Sequence, residues 1–188
     1  GRALVKDGQV DEAEKLLRLA ANRFPADVQP LKELHELMRQ QDRADELLHE
    51  VLEQALKRAP HDKDLLLAAA QHRMLAMQLE AAERACRTVL RANPHDSDAW
   101  LDLANFYEHT APDRIPDLLA QVEQAAVPPP VPDVVRAMAH RRARRYSAGL
   151  AALERVPADF NPWMVEDLRG QFLDKLGDSR AAFAAFTR

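Results

Sequence analysis

The residues best placed by type to do chemistry are a run of cations, His140-Arg141-Arg142-Ala143-Arg144-Arg145, and seven scattered histidines. Guanidinium groups pair bidentately with phosphate and carboxylate, so one reading of Arg141 to Arg145 is an anion or nucleic-acid site. The other reading is complementation of a helix dipole at its C-terminal end, worth ~0.3–1 kcal/mol per cation. The second is favoured, because arginines wound around one helix cannot all face one ligand. No aromatic ladder accompanies them, as single-strand binding would want. With a net charge of −4 there is also no global pull toward nucleic acid or an anionic membrane. The histidines build no metal site by spacing. His61 and His95 stand 34 residues apart, and no pair is spaced i, i+4. His35-Glu36-Leu37-Met38 lacks the second histidine of a zinc-protease helix. Cys86 is the single cysteine, so no intramolecular disulfide forms, and at a core-type position it reads as an inert small hydrophobe. Nothing pairs a nucleophile with a base, and no Gly-rich loop cradles phosphate. No catalytic residue, cofactor or metal is expected.

The elements that must position these side chains are marked by prolines. Pro25, Pro60, Pro94 and Pro128 recur at intervals of 35, 34 and 34 residues, the signature of a repeat array. Proline cannot continue a helix, and an Asp just beyond it can cap the next one. Asp27, Asp62 and Asp96 occupy that place. Six repeats follow, at about 1–26, 27–61, 62–95, 96–130, 131–160 and 161–188, together one repeat domain. Apolar spacing predicts helices over 11–23, 28–41, 43–58, 64–77, 80–92, 97–109, 113–126, 133–144, 147–155, 163–176 and 179–188. A helix stub at Ala3 to Lys6 ends at Gly8, and Ala13, Leu16, Leu17 and Ala20 form one face of the helix after it. Residues 128–132 read as a stiff extended turn, and Pro116 falls in the first turn of its helix.

Ala, Leu, Glu, Arg and Asp dominate, with only five Gly, which excludes a β architecture. The fold class is all-α: a right-handed superhelical stack of antiparallel helix pairs with no β-sheet. No apolar run approaches the ~18 residues of a membrane span. A cytoplasmic protein is expected. The opening Gly1-Arg2 without Met and the close at Arg188 within a helical pattern suggest a piece of a longer chain.

In phase with the prolines stand Trp100-x2-Leu103-Ala104-x2-Tyr107, Ala82-x3-Cys86, Ala13-x3-Leu17 with Ala20, and Ala182-x3-Phe186. On these residues the chain resembles a tetratricopeptide repeat array, with Ala104 where Gly is usual. The resemblance implies a structural core of Ala13, Leu17, Ala20, Ala82, Cys86, Trp100, Leu103, Tyr107, Ala182 and Phe186. It implies an inner face built by the first helix of each pair, the usual binding surface of such stacks. That face would present Gln29, Lys32, Glu36, Arg39 and Gln40 in repeat two. Repeat three would present Asp64, Leu67, Gln71, Met74 and Leu75, and repeat four Asp98, Leu101, Asn105, Glu108 and His109. Arg142, with Arg136 beside it, would serve repeat five. A carboxylate clamp would use Asn105 and Arg142, but its Lys and second Asn do not line up. The expected partner is a protein, a peptide or a neighbouring domain of the same chain, with no membrane, and the segment itself is a scaffold without catalysis.

Residues 168–172, 175–178 and 181–186 also resemble the junction where such repeats precede a bacterial sulfotransferase domain. That resemblance implies an accessory repeat segment whose catalytic domain, with its own phosphate loop, lies after Arg188.

Overall fold

The computed structural model describes residues 10–41 and 45–187. Among them are eleven α-helices and one short 3-10 helix, with no strand. The stub expected at Ala3 to Lys6, its end at Gly8 and the helix start at Arg43 lie outside the described residues. The chain divides into two compact halves, residues 1–89 and 90–188.

The N-terminal half holds α1 (Val10–Arg23), α2 (Gln29–Gln40), α3 (Asp45–Arg58), α4 (Lys63–Leu75) and most of α5 (Leu79–Ala92). α1 packs on α2, α2 on α3 and α3 on α4, the arrangement that short connections impose on consecutive helices. The buried residues of α1 are Ala13, Leu17 and Ala21. Their i, i+4 spacing is narrower than the stripe expected from sequence. Ala20 is only half-buried and Leu16 is 42 % exposed, because both lie on the flank of the line that meets α2.

The C-terminal half holds α6 (Ser97–Thr110), the 3-10 helix Pro112–Arg114, α7 (Ile115–Gln124), α8 (Val131–Arg142), α9 (Tyr146–Leu153), α10 (Pro162–Lys175) and α11 (Ser179–Phe186). Successive helices pack in order, and α8 also lies against α6 and α10. The first helices of three successive repeats are thus side by side. The helix expected over 113–126 is really two segments, with Pro116 in the first turn of the second. α8 starts two residues earlier than expected. Pro132 fits its first turn, where a missing N–H costs little, and the connection expected to be extended instead closes in a turn at Pro129 and Pro130.

Turn chemistry joins the helices. Asp62 and Asp96 accept the backbone N–H groups of Leu65 and Ala99, at 3.1 and 3.0 Å, and so cap α4 and α6. Asp178 does the same for α11 through Ala181, at 3.0 Å. Asp27 instead accepts from Gln29 one residue before the cap position, which Val28 fills. α4, α8 and α10 end alike, in a left-handed residue (Met77, Arg144 and Gly177) followed by a backbone bond reaching five residues back. Glycine also permits two close approaches inside helices. A Cβ on Gly149 would overlap the Phe172 ring, and one on Gly170 would overlap the Phe186 ring.

Candidate partner-binding groove

The C-terminal ends of α6, α8 and α10 surround a groove of about 510 Å³ within the C-terminal half. Its lining includes Glu108, Arg141, Arg142, Arg144, Tyr146, Gln171, Lys175 and Phe186. The Glu108 side chain is 10 % exposed and forms an ion pair with Arg141. Its Oε2 is buried without a hydrogen-bond partner. Arg141 also donates to the Gln171 side-chain oxygen, and the Gln171 amide donates to Asp167 at 2.7 Å. A polar chain therefore ties α6 to α10 through α8. Burial pulls the pKa of the Arg141 guanidinium below its ordinary value, and the charge of Asp167 resists this.

The rim is solvated. Arg142 donates its Nε to Asp113 at 3.0 Å, and Lys175 lies 3.4 Å from Asp174. Arg144 sits in the exposed turn after α8, while Tyr146 and Phe186 supply ring surface. Arg141 and Arg142 are thus each engaged by a carboxylate. The arginine run presents less charge to a ligand than its composition suggests.

The inner-face residues expected from sequence fall into distinct surroundings. Glu108 and Arg142 both line the groove. Asn105 is half-buried on the same helix as Glu108. Leu101 and Leu67 are buried at 6 and 8 %, so neither offers a partner any surface. Each apolar side chain turns into its own core where a polar one at the same helix position would stay outside. Arg136 is also displaced from the expected face. It pairs with Asp133 and, at 2.8 Å, with Glu123 on α7, and it does not line the groove. Arg155 donates to the same Asp133 oxygen at 2.7 Å. His140 lies near this cluster, and burial followed by the charges of Arg145, Arg136 and Arg155 pushes its pKa down.

In the N-terminal half, Lys32 binds Asp62 at 3.0 Å and Asp64 at 2.8 Å, joining α2 to the start of α4. Glu36 accepts from Arg39 and Gln40 on its own helix at 2.8 and 2.7 Å. Gln71 is exposed and Met74 half-buried. Among the groove residues that the inner-face spacing missed are Arg141, Tyr146, Gln171 and Lys175. Arg141 is one helical position, about 100° around α8, from Arg142, and its long stem spans that angle to reach Glu108. Gln171 had no signal, since its role depends on α10 lying against α8.

Ala13, Leu17, Ala82, Cys86, Trp100, Leu103, Tyr107 and Ala182 are all buried. Phe186 is not: it is 53 % exposed, because its ring rests on Gly170 on one side only. The helix pairs of this chain superpose on a solved tetratricopeptide repeat protein from Parabacteroides merdae over 98 % of this chain and 73 % of that one, with a TM-score of 0.73. The fold is that of a tetratricopeptide repeat array. Sequence identity to that protein is 17 %. PilF of Pseudomonas aeruginosa matches over 98 % of this chain and 85 % of its own, with a TM-score of 0.67 and 14 % identity. At such identities the likeness concerns the fold alone. No family model matches the sequence, and no curated protein is significantly similar to it. Among the described residues of the array, no helix is long and apolar enough to cross a membrane.

Proposed function

We propose that this segment is a scaffold that docks a stretch of another protein, or of a neighbouring domain, in the groove between α6, α8 and α10. Stacked helix pairs of this kind present their first helices as an extended binding surface. The observation that carries the reading is the groove itself. Its rim mixes donors (Arg144, Lys175) with ring surface (Tyr146, Phe186), and the bound Glu108–Arg141–Gln171 chain holds its floor in place. Such a lining suits a peptide, whose backbone and side chains offer both polar and apolar contacts. Nucleic acid is disfavoured, because the cations nearest the floor are already neutralised by Glu108 and Asp113. The reading is of binding, with the chemistry of any parent protein carried elsewhere. The lone thiol of Cys86 is buried, which suits a reducing compartment.

The test places a photo-crosslinking residue at exposed Arg144, in the groove, or at exposed Ala151, on α9 outside it. The expected result is partner crosslinks from position 144 that Arg142→Glu with Lys175→Glu abolishes. Equal crosslinking from both positions, insensitive to those substitutions, would overturn the reading.

A further inference from the structure

The groove of the C-terminal half reverses the sign of the chain as a whole. Its lining holds four cations, Arg141, Arg142, Arg144 and Lys175, against two carboxylates, Glu108 and Asp174. The chain's net charge is −4. These groups differ in availability. At the floor Glu108 and Arg141 neutralise each other, so that pair neither draws nor repels a ligand. At the rim the pairs are open to water: Arg142 with Asp113, and Lys175 with Asp174, are exposed on both sides. Exposed pairs hold weakly, so another carboxylate can take either cation. Arg144 is exposed and pairs with no carboxylate among the described residues.

Beside the cations stands ring surface that the core holds in place. Tyr146 lies against Phe172, with ring centroids 6.5 Å apart, and Phe172 is fully buried. Phe186 keeps half of its surface in solvent while its ring rests over Gly170.

We propose that the segment docked in this groove is acidic and aromatic. Its side-chain carboxylates meet Arg144, Lys175 and Arg142, and an adjacent ring packs against Tyr146 and Phe186. This rests on the groove reading above and adds the partner's chemistry to it. The charges decide which segment is accepted, because like charges brought together are costly and opposite ones steer the encounter. The rings supply apolar area with few side-chain torsions to freeze. A basic segment is turned away by the same cations.

Arg144 offers a variant that separates binding from folding. Its φ is 56°, a left-handed conformation that Gly177 takes at the same place after α10. Glycine is the residue such a helix end prefers. Arg144→Gly therefore removes the guanidinium while relieving the backbone.

Two fluorescein-labelled peptides of equal length test this by fluorescence anisotropy on the intact chain. One is built of Glu, Phe and Ser, and in the other Gln replaces every Glu. Both are amidated at the C-terminus, so only side-chain carboxylates are compared. The Glu peptide should bind about tenfold or more tightly than the Gln peptide, the sum of two or three exposed pairs. That advantage should shrink as salt rises. Arg144→Gly should weaken the Glu peptide about threefold to fivefold, the yield of one such pair, without lowering the melting temperature. Adding Lys175→Gln should deepen the loss, and Phe186→Ser should weaken the Glu peptide through the ring contact. Equal binding of the two peptides, or no binding of the Glu peptide, would overturn the proposal. The groove reading would still stand or fall separately, on the crosslinks from position 144. Binding that ignores Arg144→Gly with Lys175→Gln, or that oligothymidylate displaces with equal affinity, would overturn the proposal too.

Discussion

At the scale of single residues, the fold depends on a few side chains that join repeats. Trp100 is 5 % exposed, and its indole N–H donates to the Pro94 carbonyl at 2.8 Å. The same residue fills the core and fastens the turn that precedes its helix. Trp100→Ala is expected to cost ~3–5 kcal/mol in urea unfolding, from lost burial and the cavity left behind. A change below ~1 kcal/mol would show that the ring is not interior. Lys32 acts more weakly and in a pH-dependent way. Burial alone would raise the Asp62 carboxyl pKa, but the Leu65 N–H and the Lys32 ammonium overcome it and hold it below the ordinary carboxylate value. A carboxyl depressed on folding stabilises above its unfolded pKa, and that contribution is lost as pH falls through the folded one. Lys32→Met should therefore cost about 1 kcal/mol at pH 7, as expected of a partly exposed pair. The difference from the parent chain should close as the pH falls below the ordinary carboxyl value of about 3.9 and through the lower folded one. A gap that persists in acid would mean that Lys32 contributes through its stem rather than its charge.

At the scale of the element, helix ends decide where each pair turns back. Met77 is 73 % exposed and has a φ of 58°, a left-handed conformation that costs a residue with a Cβ about 1–2 kcal/mol. Gly177 takes the same role after α10. Nothing packs on Met77 that the turn needs, so Met77→Gly should stabilise the chain by about 1 kcal/mol in a thermal melt. Destabilisation would mean that its side chain makes a contact outweighing the backbone gain. Asp62 and Asp96 show why this scale was legible from sequence. A proline that stops one helix, followed by an acid that caps the next, is local chemistry that needs no tertiary partner. The edges of α7 and α8 were less legible. Pro116 lies in a first turn, as expected from sequence, but Pro132 also sits inside its helix rather than before it, since proline is tolerated there.

At the scale of the whole molecule, consecutive helices bury apolar surface against one another within each half, so stability within a half is a chain of nearest-neighbour terms. Leu34 is 1 % exposed in the core that α1 to α4 share. Leu34→Ala is expected to cost ~2–5 kcal/mol locally. Hydrogen exchange should show its effect largest in α1 to α4 and weaker in α8 to α10. Equal loss of protection throughout would indicate a single cooperative unit instead.

The sequence by itself determined the helical class, the pairing of helices, the joints at Pro25, Pro60 and Pro94, and the capping acids at Asp62 and Asp96. These follow from periodicity and from backbone donors that only a few residue types can satisfy. Tertiary structure alone decided that Leu101 turns inward, that Arg136 leaves the inner face for Glu123, and that Arg141 closes on Glu108. Only there did the rings of His49 and His72, on separate helices, come to stack. Burial and charge pairing between helices depend on how one helix is rotated against the next. Side chains spaced alike along the chain can meet either solvent or a neighbour, and only the packed neighbour settles which.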